Sequence, residues 1–572
     1  MVAGQPYQMG ARVAEEGGYE FKPHEQPSMP GSPHTPDHPL RRRVSYVLIG
    51  VLIGLTGGLG NALVTVNLNF AQGTLGLAPD EAAWLTAAYL MTSATANLLL
   101  MKFRQQYGLR AFIRGMLALH AMTTVLHLLV HGFWSSVLVR AASGASAAVL
   151  STLTLLYIIQ GMPAARRLAG IMLGISIPQL ATPIARMLSP HLLETGDWHM
   201  LYWFELGLVL ATQAAIWALP LPPSQRVRVF ERSDFLTFAL LAPGLWLLIA
   251  VLTEGRIEWW TERPWIGIAL ALSLVLLTAG LVFEHFRANP LVNTRFLGTR
   301  EMARLIAVAA TVRILLSEQA FGSVGLLTVL GMTNDQMVGL NAVIVVASVA
   351  GMLTGVLTFN PQNLSRPITI AVAMIAVAAF MDAGATNLTR PSSFMLSQAL
   401  VGFASMLFLG QAMVIGMART LLAGPSNFIS FAVLFSLSQS LGGLAGSALL
   451  GTFQTIREKV HSHELVQQVM LADPQVAARV RSGAGALAGT MGDPVLRNAE
   501  GVVLLSRAAT REAQVLAYND VFLLIGILSL MAVAWGLSIR RAIVRRGEES
   551  PVVLLQRQAQ QRAAAIAVQE TR

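Results

Sequence analysis

Apolar residues along the chain come in blocks of about twenty or more, divided by short polar stretches. A helix of that length crosses a hydrocarbon core of roughly 30 Å. The blocks do not alternate with a period of two, which excludes barrel strands and leaves helices as the spanning element. The pattern predicts about fourteen crossings, at residues 45–71, 82–101, 110–131, 134–160, 167–189, 199–220, 235–253, 264–284, 303–331, 336–358, 367–384, 392–417, 426–453 and 517–540. Alternate connections hold most of the basic residues: Arg41 to Arg43, Lys102/Arg104/Arg110, Arg166/Arg167, Arg226/Arg228/Arg232, Arg287/Arg295/Arg300, Arg366, Arg419 and Arg540/Arg541/Arg545/Arg546. By the positive-inside rule both termini face the cytoplasm, and an even number of crossings keeps the alternation intact.

Composition agrees with lipid as the main solvent. Of 572 residues, 54% are hydrophobic and 12% charged, against about 25% charged in soluble domains. The formal charge of +10 lies in short connections rather than in one basic stripe, so nucleic acid is not an expected partner. With no cysteine, thiolate metal sites and disulfides are excluded. His120, His127 and His131 share a helical face, and His461/His463 form an H-x-H pair, but neither set has a matched carboxylate cluster, so no metal is expected. The chain has no phosphate loop of the G-x-x-x-x-G-K-[ST] type and no G-x-S-x-G or H-E-x-x-H pattern. No cofactor and no enzymatic activity are therefore expected.

Several segments stand apart. Residues 1–40 are rich in Pro, Gly, His and Glu and read as a disordered cytoplasmic tail. Residues 454–519 are too polar to insert, and the stretches Arg457 to Met470 and Val502 to Leu516 read as short amphipathic helices on the outer face. Residues 541–572 form a second tail, with Val552 to Leu555 the apolar part of a surface helix. Glycines four apart, at Gly50/Gly54/Gly58, Gly351/Gly355 and Gly442/Gly446, predict close helix contacts.

Local motifs then carry a family resemblance. Leu59-Gly60-Asn61-Ala62-Leu63-Val64-Thr65-Val66-Asn67 resembles an L-D-x-T-I-V-N-V stretch, and Trp84-Leu85-Thr86-Ala87-Ala88-Tyr89-Leu90 resembles W-x-x-T-A-Y-x-L. Arg140 and Gly144 match R-x-x-Q-G, while Pro178 and Thr182-Pro183 sit where an antiporter motif has prolines. Trp198 to Phe204 resembles W-R-W-I-F, and Pro290 to Phe296 resembles the linker before a ninth span. In order and content these resemble the fourteen-span drug:proton antiporters of the EmrB/QacA type, within the major facilitator superfamily. The resemblance implies an all-α fold with two six-helix bundles (41–220 and 301–540) and two inserted helices with their linker (221–300). It implies proton-driven efflux of an amphipathic small molecule across a bacterial inner membrane. It also implies a periplasmic membrane-fusion protein and an outer-membrane channel as partners, docked on 454–519. The same fold run inward as an uptake carrier, or kept as a non-transporting receptor, are the alternative readings.

The departures redirect the search for coupling residues. The family's span-one acid is Gly60 here, the acid after span two is Gln105, Arg186 stands where the motif has glycine, and Glu205 where asparagine is usual. A charge near the bilayer centre costs at least ~2.5–3.5 kcal/mol, so each such residue faces a cavity or a partner. This singles out Arg140, Arg186, Glu205, Arg313, Glu318 and Asp382. Glu318 is the leading replacement proton carrier, with Arg313 too far around the helix to neutralise it directly; a static ion pair is the rival reading. Arg140 matches the family's proton-relay arginine, and otherwise bonds helix-end carbonyls. Glu205 and Asp382 are secondary coupling candidates near span ends, in reach of water. Arg186 either attracts an acidic substrate or reaches headgroups. Tyr89, Trp203, Phe321 and Met413 are candidate walls of an apolar substrate site.

Overall fold

The computed structural model describes residue 25 and residues 32–163, 166–194, 196–224, 229–424, 427–470 and 472–570. Most of the expected N-terminal tail, with Arg226 and Arg228, lies outside the described residues. Among those described, the chain is helical throughout, with a single isolated bridge between Pro33 and Ser224.

The first half contains α1 (Leu40–Val66), α2 (Leu68–Leu75), α3 (Pro79–Tyr107), α4 (Leu109–His127), α5 (Phe133–Gly161), α6 (Arg167–Ser176), α7 (Ala181–Leu192) and α8 (His199–Ala218). An inserted hairpin follows, α9 (Arg232–Glu254) and α10 (Pro264–Phe286), then the short α11 (Thr294–Leu297). The second half contains α12 (Arg300–Leu315), α13 (Val324–Val329), α14 (Val338–Leu357), α15 (Ser365–Asp382), α16 (Met395–Ala423), α17 (Phe428–Gln468), α18 (Pro474–Ala486), α19 (Pro494–Arg546) and α20 (Pro551–Glu570). Thirteen of these helices or helix runs are long and apolar enough to cross a membrane. α3 falls outside that set because its apolar stretch is diluted by Thr86, Thr92, Ser93, Thr95 and Asn97, yet with 29 residues it packs on α5, α1 and α9 as the expected fourteenth crossing would. The connection order places the start of α1 and the end of α19 at one end of the bundle, here the terminal end.

Two crossings are interrupted where the sequence weakens the helical ladder. Between α6 and α7 a 3₁₀ turn runs over Ile177–Leu180, because Pro178 lacks the N–H that an α-turn requires. Close contact with α1 occurs there, and a Cβ on Gly58 would stand 2.7 Å from the Pro178 carbonyl oxygen. Between α12 and α13, Glu318–Ser323 form one π-helical turn, which rotates the following side chains relative to an unbroken helix.

α1, α3, α4, α5, α6, α7 and α8 pack as one bundle, and α12 to α17 with α19 as the other. They meet where α7 lies on α14, α6 on α16 and α3 on α17, and α9 packs on both α3 and α17. The largest core cluster lies in the second bundle, around Phe408, Phe431 and Ile525.

Two expectations change. Residues 454–519 are not short surface helices between crossings. α17 has 41 residues and α19 has 53, so both continue unbroken past the membrane, with only α18 as a separate piece packed on α19. At about 1.5 Å per residue they reach roughly 60 and 80 Å, well beyond a ~30 Å core. Their polar extensions are strong helix formers, so nothing stops the helix at the interface. Residues 32–39 are also packed rather than loose: His34 Nδ1 lies 2.7 Å from the Pro223 carbonyl, and Gln160 Nε2 donates to the His34 carbonyl at 2.7 Å. At the other terminus α20 forms as expected, and Val552 is buried with Met172, Leu364, Val414 and Ala418.

A charge cluster fixes the hairpin to the first bundle. Lys102 Nζ reaches both Asp234 oxygens, at 2.7 and 2.8 Å. Arg287 bonds Asp234 at 2.9 Å, Glu284 at 2.6 Å and Glu231 at 3.0 Å, and Thr237 donates to Glu284. Hydrogen bonds from Asn289 and Arg287 hold the Glu231 carboxyl below the usual carboxylate range. Removing Asp234 leaves Lys102 buried without that counter-charge. Asp234→Ala is therefore expected to destabilise the purified protein by about 3 kcal/mol, read as a lowered midpoint in detergent, and Asp234→Asn by less. An unchanged midpoint for Asp234→Ala would contradict this.

Candidate functional site

Between the bundles lies a cavity of about 120 Å³ of room for water centres. Its walls come from the interrupted crossings and their neighbours: Gln179, Thr182 and Arg186 from the α6–α7 run, Arg313 and Gln319 from the α12–α13 run, Asn341 from α14, and Gln439 from α17. Phe408 and Leu409 of α16 supply apolar surface. Two guanidinium groups thus meet neutral amides and hydroxyls, and no carboxylate lines the cavity among the described residues. Arg313 Nε donates to the Gln439 carbonyl at 3.1 Å, and Arg186 Nη1 to Asn334 Oδ1 at 3.0 Å.

Asn334 also closes the far end. Its Nδ2 donates to Asn67 Oδ1 at 3.1 Å, and Asn67 Nδ2 donates to Ser189 Oγ at 2.7 Å. Residues from both halves share this clasp. Toward the terminal end, α6 packs on α16 through Met172 against Gly410. Ligand sites for drug-sized molecules usually hold about 300–1,000 Å³, so this arrangement is occluded and must open to admit one.

Behind the cavity lies a pair of buried carboxyls. Gln398 Nε2 donates to Glu318 Oε1 and to Asp382 Oδ2, both at 2.9 Å. Glu318 Oε2 has no partner. Gln319, which lines the cavity, donates to the Gln398 carbonyl at 3.3 Å and to its Oε1 at 3.4 Å. A chain of amides therefore runs from the cavity wall to the acid pair. Glu318 and Arg313 are not paired, as their spacing predicts, but the partner of Glu318 is Asp382 rather than an arginine. Asp382 is buried instead of lying in reach of water, because α15 packs on α16 and α19 around it.

A second polar centre lies inside the first bundle. Arg140, almost fully buried, donates to Asn61 Oδ1 at 2.6 Å and to the Leu85 and Gly60 carbonyls at 3.4 Å each. Its guanidinium carbon stands 4.6 Å from the Tyr89 ring centroid. Glu205 is buried beside it, not at a wet span end, and its Oε1 lacks a hydrogen-bond partner. That oxygen lies 2.5 Å from where a Cβ on Gly60 would be. The carboxylate of α8 thus fills the space that a side chain at position 60 would take, and both departures from the family pattern meet at one point.

The remaining candidates separate from the cavity. Tyr89 lies under Arg140, and Met413 is buried in the core of α16. Phe321 packs on Tyr518 with ring centroids 5.8 Å apart. Trp203 is 55% exposed on the outer surface of α8, because the neighbouring Tyr202 takes the inward position beside Trp198 and His127. Of the five proposed substrate contacts, Arg186 alone lines the cavity. Gln319, Gln398, Gln439 and Asn341 are amides inside apolar crossings, a signal the sequence offers, whereas Asn334 lies in the connection between α13 and α14, where a polar residue is ordinary.

Two helical bundles with a polar cavity between them, broken crossings on either side of it and clasps at both ends define a secondary carrier. The family profile described as Major Facilitator Superfamily matches residues 50–449, and the chain belongs to that superfamily of transporters. Over 409 residues it is 28% identical to the cephamycin export protein CmcT of Amycolatopsis lactamdurans, covering 68% of this chain and 81% of that protein. Among solved structures it is similar to the human organic anion transporter MFSD10 (TM-score 0.51, 14% identity, 86% of this chain and 100% of that one). It is similar also to tetrameric PepTSo2 (TM-score 0.55, 11% identity, 88% and 99%).

The Gly60–Glu205 contact has a direct test. Gly60→Ala is expected to destabilise by about 1–3 kcal/mol through overpacking. Shortening the facing side chain as Glu205→Asp should recover at least about 1 kcal/mol of that in a double-mutant cycle on purified protein. Strict additivity would show that the two positions do not compete for space.

Proposed function

We propose that this carrier exports an anionic amphipathic small molecule in exchange for protons. Two arginines facing an otherwise neutral polar cavity carry the reading, since in a low-dielectric site they favour an acid group and oppose a lipophilic cation. The acid pair supplies the proton side. Two buried carboxyls that share one amide and have no cation among their hydrogen-bond partners form an arrangement that takes up a proton, because like charges at that range oppose joint ionisation. The link through Gln319 gives substrate and proton a common element, so filling the cavity and titrating the pair bias the same helices. Arg140 and Glu205 form a second candidate proton centre in the first bundle. Export rather than uptake rests on likeness to the cephamycin exporter and to the EmrB/QacA-type antiporters. The basic connections favour both termini cytoplasmic, and the likeness to EmrB/QacA-type antiporters favours a bacterial inner membrane. In that orientation the long α17 and α19 extensions face the periplasm, where a membrane-fusion protein leading to an outer-membrane channel is the proposed partner.

Reconstitution in proteoliposomes tests this. A lipophilic acid should be accumulated under an imposed proton gradient and should compete for transport, whereas quaternary ammonium compounds should not; the reverse pattern would overturn the substrate sign. Arg313→Gln and Arg186→Gln should each raise KM by about tenfold, equal to roughly 1.4 kcal/mol. Glu318→Gln should abolish gradient-driven transport yet retain substrate counterflow, and Arg140→Ala should lower transport by at least about tenfold. Full gradient-driven transport by Glu318→Gln would rule out its coupling role.

A further inference from the structure

A second, larger recess lies apart from the carrier site. It opens at the terminal end between α4 and α8 and offers about 510 Å³ of room for water centres. Arg110 and Arg114 form its rim. They are four apart on α4, so they sit one above the other on a single helix face. Its floor is apolar: Ile113 of α4, Ile216 of α8 and Leu221 are buried, while Trp217 lies with its ring largely exposed at the edge. No acidic residue lines the recess among the described residues.

The recess is built rather than incidental. Immediately after α8 the chain turns into an extended segment whose carbonyls are held by two buried tyrosines: Tyr46 Oη donates to Pro220 at 3.1 Å and Tyr157 Oη to Leu219 at 3.0 Å. Leu109 N, at the start of α4, donates to Ser224 Oγ at 3.3 Å. These bonds fix the wall and the helix start at a constant separation. The result is a groove with two positive charges at its polar edge and aliphatic surface with an indole below, at a membrane boundary. Topology alone accounts for basic residues in a connection. Topology and the interfacial preference of tryptophan do not account for the trough beneath them, which with the two arginines matches a headgroup above an acyl chain.

We propose that this groove binds one anionic phospholipid, with its phosphate on Arg110 and Arg114 and an acyl chain along Ile113, Ile216 and Trp217. The site is separate from the transport cavity, so its occupancy stands whether or not the proposed substrate is correct.

Native mass spectrometry of the purified carrier with phosphatidylglycerol, and with phosphatidylcholine for comparison, measures it. Arg110→Gln/Arg114→Gln should weaken binding of the tightest phosphatidylglycerol by roughly thirtyfold, since each arginine near a lipid surface is worth on the order of a fivefold change. Arg366→Gln, a basic residue in another connection at the same end, should leave it unchanged. Phosphatidylglycerol with brominated acyl chains should quench a tryptophan component that Trp217→Phe removes, a readout that depends on neither arginine. Wild-type affinity in the double variant, an equal loss in Arg366→Gln, quenching of undiminished amplitude in Trp217→Phe, or displacement of the lipid by inorganic phosphate would each overturn the proposal.

Discussion

A polar group between packed helices in lipid has no water to fall back on, and most of this structure follows from how each such group is satisfied. Arg140 is held by three acceptors and an aromatic face. The Asp234 cluster combines Lys102 and Arg287 against several carboxylates and thereby anchors the inserted hairpin. Among the buried side chains left incompletely satisfied, Glu318 and Glu205 each keep one oxygen without a partner. These are the groups beside the broken crossing and beside the glycine-made gap. Incomplete pairing is costly where packing is the only purpose, and it is a natural reservoir for a group that changes protonation.

The two interruptions serve the same end. Five-residue spacing lets Arg313 face the cavity while Glu318 turns to Gln398 and Asp382, and the π turn at Glu318–Ser323 rotates the side chains that follow. On the opposite wall the 3₁₀ turn at Pro178 lets α6 engage the second bundle at one end and α7 at the other. The cavity-facing arginine and the buried acid thus share one crossing without neutralising each other.

The architecture was legible because it rests on block hydropathy and connection charge, both local properties. The crossings were found, and only α3 is unusually polar for one. The charged residues of the site were also legible, since a charge inside an apolar block stands out by itself. Their partnerships were not. Nothing in the local sequence around Asp382 shows that α16 will bring Gln398 between it and Glu318, and Glu205 and Gly60 are 145 positions apart, the difference of their residue numbers. Aromatic candidates fared worst: Trp203 and Tyr202 are adjacent, and only the helix rotation decides which turns inward. The outer segment was misread because its polarity ended the membrane signal, while its helix propensity continued without a break.

That continuity gives the long helices a mechanical meaning. A helix without a hinge behaves as a stiff rod, so α17 and α19, paired along their shared length, cannot bend at the membrane surface when the bundle that contains them tilts. A rotation of ~10° about the cavity would swing a tip ~30 Å away by roughly 5 Å, at a rise of 1.5 Å per residue over about twenty extra residues. The extension is a pointer: it converts a small change in helix packing around the buried carboxyl pair into a displacement large enough to be felt outside the membrane.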